Sequence, residues 1–317
     1  MKFKSLLLLL LIICISCKTE NKSTGIIEAK KPQQYITVLG TAQDGGFPHI
    51  GCQKECCSNY YNGTLSKKRI VSLGLVDQQN KQKWIFDATP DISTQLADLE
   101  QNHLKTSSII DGVFLTHAHI GHYTGLMYFG REALGKKGTK VYAMPKMRSF
   151  LETNGPWSQL ITLQNIEIQN LQNDATIVLN NRLKVTPFLV PHRDEFSETV
   201  GYKIEGSKKT ALFIPDIDKW NTWKKSIIEE VKKVDYAFLD ATFFNQNEVK
   251  RAMTEVPHPF IQETINLFKN ESIATKNKVI FIHFNHTNPA LQKDSKERKQ
   301  IENLGFRFAF EGQNYEL

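Results

Sequence analysis

This sequence of 317 residues has few cysteines and no block of lysine and arginine interleaved with aromatic residues. Five cysteines are too few for a small scaffold held together by disulfides. The net charge of +7 permits an anionic substrate but gives no reason to expect a nucleic-acid partner. No internal repeat or low-complexity segment follows residue 34, which excludes a collagen-like or other repeat architecture.

The composition that is present is typical of a folded domain. The chain is 40% apolar, 10% aromatic and 23% charged, which excludes a disordered polymer. Its length suits one large domain or two modest ones. Because no linker rich in proline and glycine divides the chain after residue 34, we predict a single domain over residues 35–317.

The N-terminal segment has the pattern of an export signal. Two lysines precede the apolar run Leu6–Ile15, which is too short for a membrane-spanning helix of about 20 residues. The string CISC that ends at Cys17 resembles a bacterial lipobox, which implies removal of residues 1–16 and acylation of Cys17. Residues 17–34 are polar and suit a flexible tether. We therefore expect a membrane-anchored lipoprotein of the bacterial cell envelope, facing the periplasm or the exterior. The alternative is an ordinary signal peptide with a coincidental cysteine.

Three cysteines are clustered in the segment GCQKECC. They are Cys52, Cys56 and Cys57, and an odd number of thiols in an exported protein cannot all pair with one another. Three clustered thiols fit a metal site that takes its fourth ligand from elsewhere in the chain. The alternative is one disulfide together with a free thiol.

Apolar and β-branched runs predict many short strands with helices between them. Tyr35–Leu39 is one such strand, and Val71–Val76 is predicted to pair with Trp84–Phe86. Further strands are predicted at Gly112–Leu115, Lys140–Ala143, Leu183–Leu189, Thr199–Ile204, Thr210–Ile214, Tyr236–Leu239 and Val279–Ile282. The helices predicted between them include His122–Leu134 and Ile217–Val231. This order favours two sheets packed together with helices on the outside.

A histidine cluster follows the predicted strand Gly112–Leu115. Residues 116–122 read THAHIGH, and neutral imidazoles concentrated at a strand end suit zinc or iron. The segment resembles the HxHxDH signature of the metallo-β-lactamase fold, with Gly121 where aspartate is usual. The resemblance implies an α/β protein of the αββα sandwich type, in which two packed mixed β-sheets have helices outside.

The resemblance extends to later residues that follow predicted strands in the family order. It implies one metal ion on His117, His119 and His192, a second on His122 and His283, and Asp216 as a catalytic residue bridging both. Zinc is expected, as one or two ions, with manganese or iron as alternatives. Because Gly121 offers no carboxylate, the second ion is expected to bind weakly. An aspartate introduced there is expected to tighten it if the loop accepts a side chain at that position. Taken singly, His192 or Asp216 would also fit a core or turn position.

Three more residues are candidates for supporting or catalytic roles. The resemblance implies that Asp87, at the end of the strand WIFD, supports the metal loop. Asp240 is expected to orient a ligand histidine. His258, in the segment VPHPF, is a candidate general acid for the leaving group. The alternative for His258 is a loop or helix-cap residue.

Two branches of the superfamily are similar to this sequence. Val38–Cys57, Leu239–Phe244 and Phe281–Pro289 are similar to the pyrroloquinoline-quinone synthesis protein B family. The cyclic phosphodiesterase of phosphonate breakdown has three N-terminal cysteines and a histidine three residues after its last catalytic ligand. That resemblance implies a structural zinc ion on Cys52, Cys56, Cys57 and His286. The spacing here is C-x3-C-C, whereas that family has C-x-C-x2-C.

The leading functional expectation is an exported metallohydrolase that acts on a small anionic phosphodiester or another ester. The nucleophile would be a water activated by bound metal. One alternative is iron-dependent oxidation of a peptide or amino acid, since three histidines and a carboxylate can also hold iron. Export argues against coenzyme synthesis, because such chemistry is expected in the cytoplasm. A second alternative is a binding lipoprotein without catalytic activity.

Overall fold

Two seven-stranded β-sheets contain the strands of residues 32–248 and 256–317, the part of the chain that this computed structural model describes. The first sheet is built from β1 (Gln34–Gly40), β2 (Ser72–Asp77), β3 (Gln82–Phe86), β4 (Gly112–Phe114), β5 (Thr139–Ala143), β6 (Ile166–Asn170) and β14 (Asn314–Glu316). Its spatial order is β14-β1-β2-β3-β4-β5-β6. The predicted export signal and Cys17 lie outside the described residues, as does the tether up to residue 31.

The second sheet also has seven strands, which come from the second half of the chain. It is built from β7 (Ile177–Val178), β8 (Lys184–Leu189), β9 (Val200–Glu205), β10 (Thr210–Ile214), β11 (Tyr236–Asp240), β12 (Val279–Ile282) and β13 (Arg307–Phe308). Its spatial order is β13-β12-β11-β10-β9-β8-β7. Both sheets are mixed. In the first, β3 to β6 are parallel, and β14, β1, β2 and β3 pair antiparallel. In the second, β10 to β13 are parallel, and β7 to β10 pair antiparallel. The predicted pairing of β2 with β3 is confirmed.

Helices lie between the strands and are short. They are α1 (Glu55–Tyr61), α2 (Ile92–Asp98), α3 (Ile120–Tyr123), α4 (Pro145–Thr153), α5 (Trp157–Thr162), α6 (Ile227–Lys232), α7 (Ile261–Leu267), α8 (Ile273–Lys276) and α9 (Lys296–Glu302). A π-helical turn, Leu99–His103, continues α2. Short 3-10 turns occur at Thr124–Phe129, Trp220–Thr222, Gln246–Glu248 and Pro289–Leu291. Within the described residues, no helix is long and apolar enough to cross a membrane.

Aromatic side chains fill the space between the two sheets. Phe86 of β3 meets Tyr202 of β9 and Phe213 of β10 edge to face, with ring centroids 5.3 and 6.0 Å apart. Such pairs contribute about 0.5–1.5 kcal/mol beyond the burial of their area. The opposite face of the first sheet is also buried, because Ile85 and Val113 pack in a separate apolar cluster with Leu96 of α2. These layers confirm the predicted αββα sandwich.

Two predicted helices are wrong in extent. His122–Leu134 was expected as one helix, but α3 begins at Ile120 and the 3-10 turn that follows it ends at Phe129. Gly125 donates its N–H to the carbonyl of Ala88, so a contact with the loop after β3 replaces the bond of a continuous helix. The second, Ile217–Val231, contains only the turn Trp220–Thr222 and all but the last residue of α6. Trp223 between them is extended and donates its indole N–H to the carbonyl of Leu189.

Candidate metal centre

Most of the candidate ligands lie at the carboxyl ends of parallel strands, whereas His192 follows the antiparallel strand β8. In the first sheet, Asp87 follows β3, and the loop after β4 carries His117 and His119. In the second sheet, the loop after β10 carries Asp216, and His283 follows β12 directly. Because the carboxyl ends of neighbouring parallel strands meet at one edge of a sheet, each sheet collects its own set of ligands. The packing of the two sheets then brings both sets together.

The first histidine group contains His117, His119 and His192. The Nε2 atom of His117 lies 2.8 Å from Nδ1 of His119. A ring nitrogen of His192 completes the group, and all three ligand atoms lie within 4.8 Å of one another. The structure therefore brings together the three histidines that were predicted to hold the first metal ion.

Asp216 lies between this group and a second one. Its Oδ2 atom is 3.2 Å from Nε2 of His122 and 3.2 Å from Nε2 of His283. Its Oδ1 atom is 3.7 Å from Nε2 of His192. One buried carboxylate therefore faces both histidine groups, which is the position that a bridging ligand requires.

The loop of His122 is held by Asp87, as the family resemblance implies. Asp87 accepts hydrogen bonds from the backbone N–H of Thr116 at 2.8 Å and from Nδ1 of His122 at 2.7 Å. Its backbone has φ of 67°, a left-handed conformation that is costly for a residue with a side chain. These bonds hold Asp87 in that conformation and turn Nε2 of His122 toward the centre.

Three further histidines are held in the same way, through the ring nitrogen that faces away from the centre. Their Nδ1 atoms are hydrogen-bonded as follows: His117 to Thr116 Oγ1 at 2.9 Å, His192 to Asp218 Oδ1 at 3.1 Å, and His283 to Thr242 Oγ1 at 2.8 Å. Partners of this kind fix the tautomer and the ring orientation of metal-ligating histidines. Sequence reasoning missed all three partners, although Asp218 stands only two residues after Asp216. Asp240, which was predicted to orient a ligand, accepts the hydroxyl of Thr242 at 2.7 Å.

Three of the candidate ligand atoms at the centre lack hydrogen-bond partners, as is expected of a site built for a cation. Nε2 of His192, Nε2 of His283 and Oδ2 of Asp216 are buried without a hydrogen bond. Buried polar groups without partners are rare and costly. Imidazole nitrogens with one carboxylate are ligands that zinc, manganese and iron accept. The residues present therefore fit a metal centre, and they do not select among these metals.

The ionisation of the cluster suits the same purpose. Burial would raise the pKa of Asp216, but the imidazoles of His283 and His122 outweigh it and hold that pKa below its usual range. Burial lowers the pKa of His117 well below that of a free histidine, and the neighbouring His122 adds to the shift. A deprotonated carboxylate and a neutral imidazole are the forms that bind metal.

A carboxylate that was not predicted as a ligand also reaches the centre. Asp44 belongs to the glycine-rich loop after β1, and its Oδ1 atom lies 2.9 Å from Nε2 of His122 and 3.5 Å from Nε2 of His283. The three ligand atoms lie within 4.8 Å of one another. The sequence AQDGG predicts a turn here, but no spacing along the chain connects it with the histidines.

The expectation that an aspartate at position 121 would tighten the second site depends on whether the loop accepts a side chain there, and the structure leaves no space for one. A Cβ atom added to Gly121 would lie 2.5 Å from Oδ1 of Asp44 and 2.6 Å from its Cα. Real side chains do not approach a backbone atom so closely, so the added side chain would displace the Asp44 loop. The obstacle is space, since Gly121 has no left-handed backbone conformation.

His258 lies at the rim of the centre and is 8% exposed. Its ring centroid is 5.1 Å from that of His192, and its Nδ1 atom is 2.7 Å from Oδ2 of Asp240. Burial lowers the pKa of His258, but the carboxylate of Asp240 outweighs burial and raises it to about 9. The ring therefore lies beside the candidate ligands, and a carboxylate holds one of its nitrogens.

A second cluster contains the three cysteines. Cys56 and Cys57 are on α1, Cys52 precedes that helix, and their Sγ atoms lie within 4.8 Å of one another. All three are free thiols, so the alternative of a disulfide is not what the structure shows. Burial and the neighbouring Cys57 and Cys52 raise the pKa of Cys56 to about 12. A cation would relieve this repulsion and hold the thiols as thiolates.

The predicted fourth ligand of this cluster, His286, does not lie in the same 4.8 Å group. Its ring stacks on that of His49, with centroids 4.2 Å apart. The backbone N–H of His49 donates to Sγ of Cys57 at 3.4 Å. His49 was not predicted, and it stands between His286 and the thiols.

Substitution of Cys56 by serine tests whether the thiol cluster holds a structural ion. We expect the variant to lose about one zinc ion per chain. We also expect its melting temperature to fall by roughly 5–10 °C, because a saturated site contributes about 2.7 kcal/mol at 100 times its Kd. Metal analysis and calorimetric melting measure both effects, with His286→Ala and His49→Ala compared in parallel. An unchanged zinc content in the Cys56 variant would contradict the assignment.

Comparison with known proteins agrees with this geometry. A family model described as a beta-lactamase superfamily domain matches residues 83–284. Coenzyme PQQ synthesis protein B of Acinetobacter baylyi is 25% identical over 311 residues, which cover 89% of this chain and 99% of that protein. The protein of the same name from Gluconobacter oxydans is 27% identical, over 89% of this chain and 98% of its own length.

Solved structures show the same fold. Zinc-bound PqqB from Methylobacterium extorquens superposes with a TM-score of 0.74 at 23% identity, covering 89% of this chain and 100% of that one. A structure described as a new diphosphatase from the PhnP family superposes with a TM-score of 0.61 at 21% identity, covering 89% and 96% of the two chains. The resemblance inferred from the sequence motifs is thereby confirmed.

Proposed function

Since this chain belongs to the beta-lactamase superfamily, we propose that it is a metal-dependent hydrolase of a small phosphodiester or another small ester. The observation that carries the proposal is the position of Asp216. Its two oxygens face His192 on one side and both His122 and His283 on the other. A buried carboxylate between two sets of imidazoles fits a centre for two metal ions.

The protein's own residues would then bind the metal ions, orient the ligand imidazoles and protonate the leaving group. The chemistry that bound metal would supply there is a water of lowered pKa as the nucleophile and polarisation of the scissile group. Asp87 and Asp218 hold the imidazoles of His122 and His192 in place. His258 stands beside the centre, where it can donate a proton to the leaving group.

An anionic substrate suits the charge of the site. Burial lowers the pKa of His119, and the nearby cation of Arg193 contributes to the same shift. Arg193 is exposed beside His192 at the rim of the centre. Positive charge next to a metal centre attracts anions and raises their local concentration.

Hydrolysis of bis(p-nitrophenyl) phosphate by the full chain, purified without added metal, tests the proposal. Metal analysis of the same preparation accompanies the assay. Turnover with zinc or manganese bound supports a hydrolase. A chain that carries metal but hydrolyses neither this diester nor simple carboxylic esters would refute the proposal.

A second candidate function is iron-dependent oxidation. The observation in its favour is the similarity to coenzyme PQQ synthesis protein B, which covers 89% of this chain. Three histidines and one carboxylate with open positions can hold iron as well as zinc. Iron in the purified chain, together with oxygen consumption when peptides or amino acids are added, would favour this function over hydrolysis. Absence of both activities would favour a binding lipoprotein.

We further propose that the protein works in the bacterial cell envelope, anchored to the membrane through a lipid on Cys17. The support is the sequence alone, since the apolar run Leu6–Ile15 and the string CISC precede a polar tether. A lipid anchor would hold the domain at the membrane surface without a membrane-spanning helix.

Substitution of Cys17 by serine tests the anchor. Because the lipid is expected on the Cys17 thiol, and a serine hydroxyl is a much weaker nucleophile, we expect the variant to move from the membrane fraction to the soluble fraction. Fractionation followed by immunoblotting measures the change, and Cys14→Ser serves as the matched control. If the Cys17 variant has lost its signal segment and still sediments with membranes, the anchor is elsewhere.

A further inference from the structure

The loop that carries Asp44 is fixed against the strand end that carries His283. Gly46 donates its N–H to the carbonyl of Gln43 at 2.7 Å, which closes a turn around Asp44. Gln43 donates its N–H to the carbonyl of Phe284 at 2.8 Å, and Phe284 directly follows His283. The position of Asp44 is therefore set by backbone hydrogen bonds and not by its own charge.

Two carboxylate oxygens lie close to the same pair of imidazole nitrogens at this place. Oδ1 of Asp44 lies 2.9 Å from Nε2 of His122 and 3.5 Å from Nε2 of His283. Oδ2 of Asp216 lies 3.2 Å from each of the same two nitrogens. Ligands about 2.1 Å from a tetrahedral ion lie roughly 3.4 Å from one another. We propose that Asp44 is a ligand of the second metal ion and replaces the carboxylate that Gly121 lacks.

Gly121 and Asp44 form the two halves of this arrangement. The ideal Cβ position at Gly121 is 2.6 Å from Cα of Asp44, so the loop can approach only because residue 121 has no side chain. The HxHxDH signature has its carboxylate on the histidine loop, whereas in this chain the corresponding carboxylate comes from the loop after β1. The second site is then complete and binds its ion tightly, contrary to the expectation from the glycine alone.

A simple ion pair between Asp44 and a protonated His122 accounts less well for the contacts. Nδ1 of His122 already donates to Asp87 at 2.7 Å, so such a pair would set one imidazolium against three carboxylates and would leave excess negative charge buried. It would also leave Oδ2 of Asp216 and Nε2 of His283 without hydrogen bonds. A metal ion satisfies all of these atoms at once.

Titration of Mn²⁺ into the metal-stripped full chain, followed by calorimetry, tests the assignment. Mn²⁺ is the probe because it prefers hard ligands over thiolates, so the cysteine cluster should not add to the number of ions bound. We expect two ions per chain in the wild type. In Asp44→Asn, which keeps the size of the side chain, we expect the affinity for the second ion to fall roughly 10–100-fold, while the first ion is retained.

Moving the carboxylate back provides the sharper comparison. Gly121→Asp alone should weaken the second ion, because its side chain meets the Asp44 loop. The double variant Asp44→Gly with Gly121→Asp again has one carboxylate and lacks the Asp44 side chain that the new Cβ would meet, although Cα of residue 44 stays 2.6 Å from the ideal Cβ position. It should recover part of the lost affinity, since a glycine at position 44 lets the loop backbone shift. Asp194→Asn is the matched control: it removes an exposed carboxylate near His192 and should leave both affinities unchanged.

The outcomes separate this inference from the proposed function, on whose metal centre it rests. Two tight ions in the wild type with a loss confined to the Asp44 and Gly121 variants support it, whether or not any ester is hydrolysed. It is overturned if Asp44→Asn binds two ions as tightly as the wild type, if the wild type binds one ion, or if Gly121→Asp tightens the second ion. Circular dichroism checks that each variant is folded. If the double variant does not fold, the result for Asp44→Asn decides the test.

Discussion

Replacement of both His117 and His119 by alanine should abolish hydrolysis and remove most of the active-site metal. The two imidazoles are in contact at 2.8 Å, and with His192 they make up the first histidine group. Metal activation is worth several kcal/mol, and about 4 kcal/mol corresponds to roughly 10³-fold in rate. Metal analysis and turnover of bis(p-nitrophenyl) phosphate measure the two effects together.

His103→Ala is the matched control for this double variant. His103 contacts Tyr35 and Thr37 at 3.3 Å, and it belongs to no metal-binding group among the described residues. We expect it to keep metal and activity. Full metal content in the double variant would show that the ligands have been assigned wrongly, whatever happens to the rate.

Much of this centre could be predicted because its ligands follow strands. His117, Asp216 and His283 each stand within three residues after an apolar run, and such runs are visible in the sequence. Parallel strands then place these positions at one edge without further information. For the same reason the predicted strand Thr210–Ile214 is confirmed to the residue.

Features that depend on contacts between distant segments could not be predicted. The helix α1 has the sequence ECCSNYY, which has no helical period of apolar residues. Strand β6 pairs with β5 but is largely half-buried or exposed, so its sequence lacks the apolar run of the central strands. Asp44 illustrates the same limit, since its loop after β1 meets Gly121, after β4, only in the folded chain.

The role of His258 is the second question with a large expected effect. Its Nδ1 atom is held by Asp240 at 2.7 Å, and its ring lies 5.1 Å from that of His192 and 5.9 Å from that of His283. This arrangement leaves the other nitrogen to act on a group bound at the centre. A positioned general acid contributes about 10²–10⁴-fold to the rate when the leaving group needs a proton.

His258→Gln should therefore slow the hydrolysis of some diesters and not of others. Phenolate, with a pKa of about 10 like that of tyrosine, leaves poorly without a proton, so hydrolysis of diphenyl phosphate should slow by roughly 10²-fold or more. The p-nitrophenolate ion is a much weaker base and leaves readily, so hydrolysis of bis(p-nitrophenyl) phosphate should be nearly unchanged. The ratio of kcat between the two substrates is the measurement, with metal content determined alongside.

The two-substrate comparison separates the three roles that the position of His258 allows. A general acid gives a loss that depends on the leaving group at constant metal content. A metal ligand, which its grouping with Asp216, Asp240 and His283 would also allow, gives a loss of metal and an equal loss on both substrates. A residue that serves only to pack the loop beside α7 lowers the melting temperature and changes neither the ratio nor the metal content. An equal decrease in kcat for both substrates would therefore show that His258 does not protonate the leaving group.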